Sequence, residues 1–210
     1  MDQFRKNPAM WLIVVGAIVL YMVVEGGLPG NRPGEPANSL VPQALAGVEI
    51  GGPFELVDQT GKTVTQADFA GKFMLVYFGF TFCPDICPTE LLVMGQAVDL
   101  LKEQGAEVVP IFITVDPKRD TPDKMKDYVD AFHPRFVGLT GSEAQVTAVA
   151  KAYRVYYRYA PAKDGAELGD DYRVDHTSYV YLMNREGQYV AHFVRGQGPE
   201  AMVEGIKKFL

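Results

Sequence analysis

Residues 80–90 read FTFCPDICPTE and hold both cysteines of the chain, Cys83 and Cys87. The preceding residues 73–80, FMLVYFGF, are apolar, aromatic and β-branched, which is typical of a buried strand. Apolar side chains then recur at helical spacing over residues 91–101, and Gly105 is expected to end that helix. The two cysteines are therefore predicted to lie on a strand-to-helix turn, at the N-terminus of the helix.

This position favours thiolate chemistry. A helix N-terminus offers unpaired N–H groups and the positive end of the helix dipole. Two residues four apart in a helical turn have Cβ atoms about 5–6 Å apart, so both sulfurs can bind one soft metal ion or join in a disulfide. A structural disulfide would close too short a loop to constrain the unfolded chain much. We therefore interpret the two cysteines as a redox or metal site, in preference to a structural disulfide or to two buried thiols that serve only as small apolar groups.

The overall composition sets the scale of the molecule. The chain has 210 residues, of which 48% are hydrophobic, enough for one globular domain and a tail. Its net charge of −6, without a basic patch, argues against a nucleic-acid partner. Two cysteines are too few to indicate a redox compartment by themselves.

An uncharged segment over residues 9–24 predicts a membrane anchor. Its sixteen residues would cover about 24 Å as a helix, with Trp11 and Tyr21 near the two ends. Arg5 and Lys6 precede it, so we expect a single pass with the N-terminus cytoplasmic and the C-terminal domain periplasmic, at the bacterial inner membrane. A cleaved signal peptide is the alternative, although residues 24–26, VEG, make a poor cleavage site.

The remaining pattern divides into a tether and a domain. Residues 1–25 are predicted to form the anchor, residues 26–47, rich in Gly and Pro, a flexible tether, and residues 48–210 the folded domain. The domain is predicted to be α/β, a mixed sheet with helices on both faces. Strands are expected at residues 54–57, 62–64, 73–80, 108–115, 136–140, 179–183 and 189–195. Three helices are expected to begin after the cysteines, after Thr121 and after Ser142, and a fourth to cover residues 199–210. Residues 156–174 are expected to form a long polar connection.

This order looks like a thioredoxin-type fold, and three stretches narrow the resemblance. TFCPDICP at 81–88, VDP at 115–117 with DTP at 120–122, and VDHTS at 174–178 resemble the Sco/SenC family of copper-binding proteins. The resemblance implies that Cys83, Cys87 and His176 bind one copper ion. It also implies a metallochaperone, not an enzyme, that serves assembly of the copper site of cytochrome c oxidase subunit II. An upstream copper donor, a thiol reductant and the lipid bilayer would be its other partners.

The ligand types agree with that resemblance. Thiolates suit Cu(I), and an imidazole extends the site to Cu(II). Asp175 is expected to orient His176 or a partner through a hydrogen bond, and Asp116 either to do the same or to cap its loop. His133 and His192 lack a comparable sequence context and are expected to be structural.

Three other functions compete with the chaperone. A membrane-anchored thiol–disulfide oxidoreductase would use Cys83 and Cys87 as a redox-active disulfide, but the spacing exceeds C-x-x-C by one residue, and residues 162–198 lack the proline that faces the dithiol in thioredoxins. A peroxiredoxin would need Thr or Ser three residues before its reactive cysteine, where Phe80 and Pro84 stand. A redox sensor stays open.

Overall fold

Nine strands are present in the computed structural model of the protein, which describes residues 49–161, 169 and 171–210. They are β1 (Glu55–Asp58), β2 (Thr63–Thr65), β3 (Phe73–Gly79), β4 (Val108–Thr114), β5 (Val137–Thr140), β6 (Tyr157–Ala160), β7 (Arg173–His176), β8 (Val180–Met183) and β9 (Tyr189–Phe193). Seven of them form one sheet in the order β2-β1-β5-β4-β3-β8-β9, while β6 and β7 form a separate antiparallel pair.

Strand β3, which carries the chain into the cysteine turn, lies inside the sheet between β4 and β8. It pairs in parallel with β4 and antiparallel with β8, and all seven of its residues are buried. A strand covered on both faces has no reason to alternate polar and apolar side chains, which explains the continuous apolar run. The mixed sheet and the position of β3 confirm the predicted α/β architecture.

Four α-helices accompany the sheet in the described part of the chain: α1 (Ile86–Leu100), α2 (Pro122–Asp130), α3 (Glu143–Ala152) and α4 (Pro199–Lys207). The predicted caps are confirmed, because the Thr121 side chain accepts a hydrogen bond from the Lys124 amide and Ser142 forms a capping box with Gln145. Helix α1 packs against α4, α2 against β5 and α3 against β1.

Two local predictions were wrong. The helix after the cysteines ends at Leu100, and the chain continues as a 3₁₀-helix, Lys102–Glu107, so Gly105 lies inside that turn and not at a helix end. The expected connection over residues 156–174 instead contributes β6 and the start of β7. Tyr157 and Tyr159 pack on the core while Arg158 between them is exposed, and this alternation over only three residues is easily hidden in a polar stretch.

The expected anchor at residues 1–25 and tether at 26–47 lie outside the described residues, as do residues 162–168 and 170. Within the described ranges, no helix combines the length and the apolar character that a membrane span requires.

Candidate metal centre

The cysteine turn follows β3 directly, as predicted. Asp85 is the N-cap residue of α1, so Cys87 lies in the first helical turn and Cys83 just before the helix. The backbone amide of Cys87 donates a hydrogen bond to Sγ of Cys83 over 3.5 Å. Both cysteines are free thiols; Cys87 is fully buried and Cys83 is partly exposed. The turn therefore presents one accessible sulfur and one sulfur held inside the core.

The pocket around Cys87 depends on two residues of β3 that the sequence analysis did not single out. A Cβ atom on Gly79 would lie 2.7 Å from Sγ of Cys87 and 2.8 Å from the Phe112 ring, so only glycine leaves room for the sulfur. The buried hydroxyl of Tyr77 donates to the same sulfur over 3.9 Å. Burial raises the pKa of Tyr77 well above its usual value, which keeps this donor protonated.

His176 reaches the cysteines from the end of β7. Its Nδ1 lies 2.9 Å from the carbonyl oxygen of Thr177, and because a carbonyl can only accept, Nδ1 carries the proton. Nε2 is then the unprotonated nitrogen, and it lies 3.6 Å from Sγ of Cys87. The rings of Tyr77 and Phe80 meet the imidazole edge-on, with centroids 6.2 and 5.9 Å away. The imidazole lone pair is thus directed at the buried sulfur.

The two thiols differ in acidity because they share a hydrogen bond. The hydrogen bond from the Cys87 thiol stabilises the thiolate of Cys83 and lowers its pKa to about 3, against the effect of burial. The thiolate of Cys83 and the buried surroundings raise the pKa of Cys87. At neutral pH the pair holds one exposed thiolate and one buried thiol.

The two aspartates that the sequence analysis named have other hydrogen-bond partners. Asp175 is exposed and pairs with Arg158 across the β6–β7 ladder at 2.8 Å. Asp116 is fully buried, is paired with Arg119, and accepts a hydrogen bond from the Tyr172 hydroxyl over 2.6 Å. Neither carboxylate has a hydrogen bond to His176 or to a cysteine among the described contacts.

A third aspartate, Asp120, contacts the cysteine turn itself. Its buried carboxyl oxygens accept hydrogen bonds from the amide and hydroxyl of Thr81, at 3.0 and 2.5 Å, and from the hydroxyl of Thr114 at 2.5 Å. Burial raises the pKa of Asp120, while the hydrogen bonds from both threonines oppose that rise. Asp120 belongs to one of the motif stretches quoted above, yet its spacing from Thr81 in the sequence gives no sign of this contact.

The other two histidines lie apart from this group, in line with their expected structural roles. His133 contacts Asp99 at 3.1 Å, and His192 contacts the hydroxyl of Tyr189 at 2.5 Å. Burial lowers the pKa of His192, so it is neutral at physiological pH.

Together, Cys83, Cys87 and His176 form a compact group with two sulfur donors and one nitrogen donor. Soft thiolates with an imidazole form a donor set suited to copper or zinc and unsuited to calcium or magnesium. Among residues 49–161, 169 and 171–210, no three His, Cys, Asp or Glu side chains already stand in a metal-binding geometry. Instead, Cys87 contacts the other two residues, through the hydrogen bond from its amide to Sγ of Cys83 and the 3.6 Å contact of its own Sγ with Nε2 of His176.

Comparison with known proteins finds relatives that match most of this chain. The chain is 39% identical over 196 residues to a SCO2-like protein of Rickettsia felis, an alignment that covers 93% of this chain and 91% of the relative. Two solved structures, Arabidopsis thaliana ScoI with copper bound and Bradyrhizobium japonicum ScoI with copper bound, are each 43% identical. The match to the Arabidopsis structure has a TM-score of 0.70 and covers 76% of this chain and 96% of that structure's chain. The match to the Bradyrhizobium structure has a TM-score of 0.69 and covers 77% of this chain and 99% of that structure's chain.

The family model described as SCO1/SenC matches residues 42–210, which include the whole described fold and all three donors. The resemblance first seen in the cysteine turn and the histidine segment therefore extends over the full domain. This chain belongs to the SCO1/SenC family.

Proposed function

We propose that this protein is a copper metallochaperone that binds one copper ion through Cys83, Cys87 and His176. The observation that carries the proposal is the contact of Nε2 of His176 with the buried sulfur of Cys87, beside the thiolate of Cys83. Copper in the structures of two relatives at 43% identity supports the choice of metal. Copper is the cargo of the protein and not a resident cofactor.

The donor set fits both oxidation states of copper. Two thiolates satisfy the low coordination number and softness of Cu(I), while the imidazole adds a nitrogen ligand that Cu(II) prefers. Cys83 is already a thiolate at neutral pH, whereas Cys87 must release its proton when copper binds. The side chains of Cys87 and His176 would also exchange their mutual contact for bonds to a shared ion. The exposed side of Cys83 offers a path by which copper can leave.

The recipient that the family resemblance implies is cytochrome c oxidase subunit II. In this proposal the protein receives copper from an upstream donor, is kept reduced by a thiol reductant, and delivers copper to the binuclear site of the subunit. Residues 1–25 hold it at the lipid bilayer of the inner membrane, residues 26–47 act as a tether, and residues 48–210 face the periplasm. Arg5 and Lys6 support this orientation.

Copper analysis of the full-length chain, purified in detergent and loaded with Cu(I) without oxygen, tests the proposal. We expect near-stoichiometric copper to remain during competition with a Cu(I) chelator. Cys83→Ala and Cys87→Ala should each lose it while staying folded, since no other thiol exists in the chain. Near-stoichiometric copper in either variant would contradict the proposal.

A thiol–disulfide oxidoreductase is the second candidate function, and the low pKa of Cys83 favours it. The Cys83 thiolate would attack a client disulfide, which forms a mixed disulfide and releases one client thiolate. Cys87, after losing its proton, would then attack Cys83, release the second client thiolate and leave a Cys83–Cys87 disulfide. A thiol reductant would have to restore the dithiol. This reaction needs no imidazole ligand, so His176 separates the two functions.

A further inference from the structure

The loop between β4 and α2 contacts both segments that carry the candidate ligands. It contains Asp116, Arg119 and Asp120, and Asp116 and Asp120 are completely buried. The cysteine turn lies on one side of this loop, and the chain entering β7 lies on the other. The loop itself contains no candidate ligand.

On the cysteine side, the contact is made through Thr81. The carboxyl group of Asp120 accepts the Thr81 amide through one oxygen and the Thr81 hydroxyl through the other, and Thr81 stands two residues before Cys83. This pair of hydrogen bonds fixes both the backbone and the side chain of Thr81. The start of the cysteine turn is thereby held against the end of β4, where Thr114 donates to the same carboxyl group.

On the histidine side, the contact is made through Tyr172, the residue just before β7. Its hydroxyl donates to Asp116, its carbonyl accepts from Nη1 of Arg119 over 3.0 Å, and its ring lies 3.7 Å from the guanidinium carbon of Arg119. Thr114 connects the two sides, because its hydroxyl donates to Asp120 and accepts from the Asp116 amide over 2.9 Å. Hydrogen bonds therefore run without a break from Thr81 to Tyr172.

We infer that this loop sets the spacing between the dithiol and His176, with Asp120 as the positioning residue for the dithiol and Asp116 with Arg119 for the strand that carries the histidine. Asp120 acts through Thr81 and touches neither sulfur. The part of the inference that concerns copper rests on the proposed function. The part that concerns the dithiol does not.

The hold of the loop on the cysteine turn can be measured without copper. The reduced protein reacts with one molecule of glutathione disulfide. The products are the Cys83–Cys87 disulfide and two molecules of reduced glutathione. A turn already held in place loses little conformational freedom when Cys83 and Cys87 form a disulfide, so the hydrogen bonds between Asp120 and Thr81 favour the protein disulfide. Removing these hydrogen bonds should move the equilibrium toward the dithiol.

The experiment compares matched variants of the full-length chain in detergent. Thr81→Val removes the hydroxyl donor to Asp120 and keeps the side-chain shape, whereas Thr81→Ser keeps the donor. We expect Thr81→Val and Asp120→Asn to shift the equilibrium with glutathione toward the dithiol on the order of tenfold, and Thr81→Ser to stay near wild type. Thr140→Val is the control for loosening of the loop, because Thr140 donates to the backbone carbonyl of Asp120 over 2.7 Å and has no hydrogen bond to Thr81 among the described contacts.

Two results would overturn the role of Asp120 and Thr81. The first is a wild-type glutathione equilibrium in a folded Thr81→Val variant. The second is a shift in Thr140→Val as large as that in Thr81→Val, which would show a general loss of stability. If Asp120→Asn does not fold, the two Thr81 variants decide the question. Absence of copper binding by the wild-type chain would refute the proposed function, but the glutathione equilibrium could still be measured.

On the histidine side, Tyr172→Phe should leave the glutathione equilibrium unchanged and shift the sulfur-to-Cu(II) charge-transfer band. An unchanged band would refute the positioning of His176 by Asp116 and Arg119.

Discussion

The sulfur of Cys87 and Nε2 of His176 lie 3.6 Å apart, although 89 positions separate the two residues in the sequence. The contact joins the first turn of α1 to the end of β7. Because Nδ1 of His176 is held by the Thr177 carbonyl, the imidazole presents its free nitrogen to the sulfur.

His176→Ala should separate copper delivery from thiol reduction. Loss of the nitrogen ligand should weaken Cu(II) binding sharply and Cu(I) binding less, because two thiolates can still hold Cu(I). Reduction of a test disulfide should change little, since dithiol exchange requires only an accessible thiolate. Copper titrations in both oxidation states, together with a disulfide-reduction assay, check this. Cells that carry the variant should fail to assemble cytochrome c oxidase at low copper; normal assembly there would favour the oxidoreductase.

Gly79→Ala should displace the buried sulfur. The added methyl group would lie 2.7 Å from Sγ of Cys87 and 2.8 Å from the Phe112 ring, and both neighbours are fully buried, so we expect a loss of about 1–3 kcal/mol of unfolding free energy. Cu(I) affinity should fall as well. Urea unfolding and chelator competition measure the two effects.

The matched control is Gly198→Ala, where the nearest atom to the new Cβ is the flexible end of Glu200 at 3.3 Å. It should change the stability by less than about 1 kcal/mol and leave copper affinity unchanged. A Gly79→Ala variant as stable as Gly198→Ala, with wild-type affinity, would show that the Cys87 pocket is not as tight as described.

Alkylation of Cys83 should be nearly independent of pH. Its folded-state pKa of about 3 lies below the ordinary thiol value, so the thiolate is fully present between pH 5 and pH 8 and is lost only as the pH falls through about 3. An ordinary thiol would instead react about tenfold faster for each unit of rising pH in that range. Iodoacetamide labelling of the copper-free, reduced protein, followed by peptide mass spectrometry, measures the rate at Cys83. A steep rise with pH would contradict the assigned thiolate.

The orientation in the membrane is tested by reporter fusions after Leu210. Arg5 and Lys6 before the uncharged segment should keep the N-terminus in the cytoplasm. A reporter that is active only outside the cytoplasm should therefore work, and one that needs the cytoplasm should not. Reversal of the two reporter activities would refute the proposed topology. Replacing Arg5 and Lys6 with glutamate provides the matched variant, which should reduce correct insertion.

The elements that the sequence predicted well are those whose signals are local. The apolar run of β3, the helical spacing after the cysteines and the caps at Thr121 and Ser142 each depend on a few neighbouring residues. The resemblance carried by the motifs then supplied the pairing of the cysteines with His176. The 3.6 Å contact agrees with that pairing.

The features that the sequence did not predict depend on contacts between distant residues. Gly79 is necessary because Sγ of Cys87 and the Phe112 ring occupy the place of a side chain, and nothing next to Gly79 in the sequence indicates this. Asp120 meets Thr81 across 39 positions. The β6–β7 pair was missed because its strands have only four residues each and one exposed face, so their alternation is short.

X-ray absorption at the copper edge tests the central claim most directly, because it reports the atoms bound to copper. The full-length chain loaded with Cu(I) should show two sulfur ligands and one nitrogen ligand, and His176→Ala should lose the nitrogen. His133→Ala, a control at a histidine paired with Asp99 away from the cysteines, should keep the wild-type spectrum. A wild-type spectrum without nitrogen, or a nitrogen ligand that persists in His176→Ala, would contradict the three-ligand site.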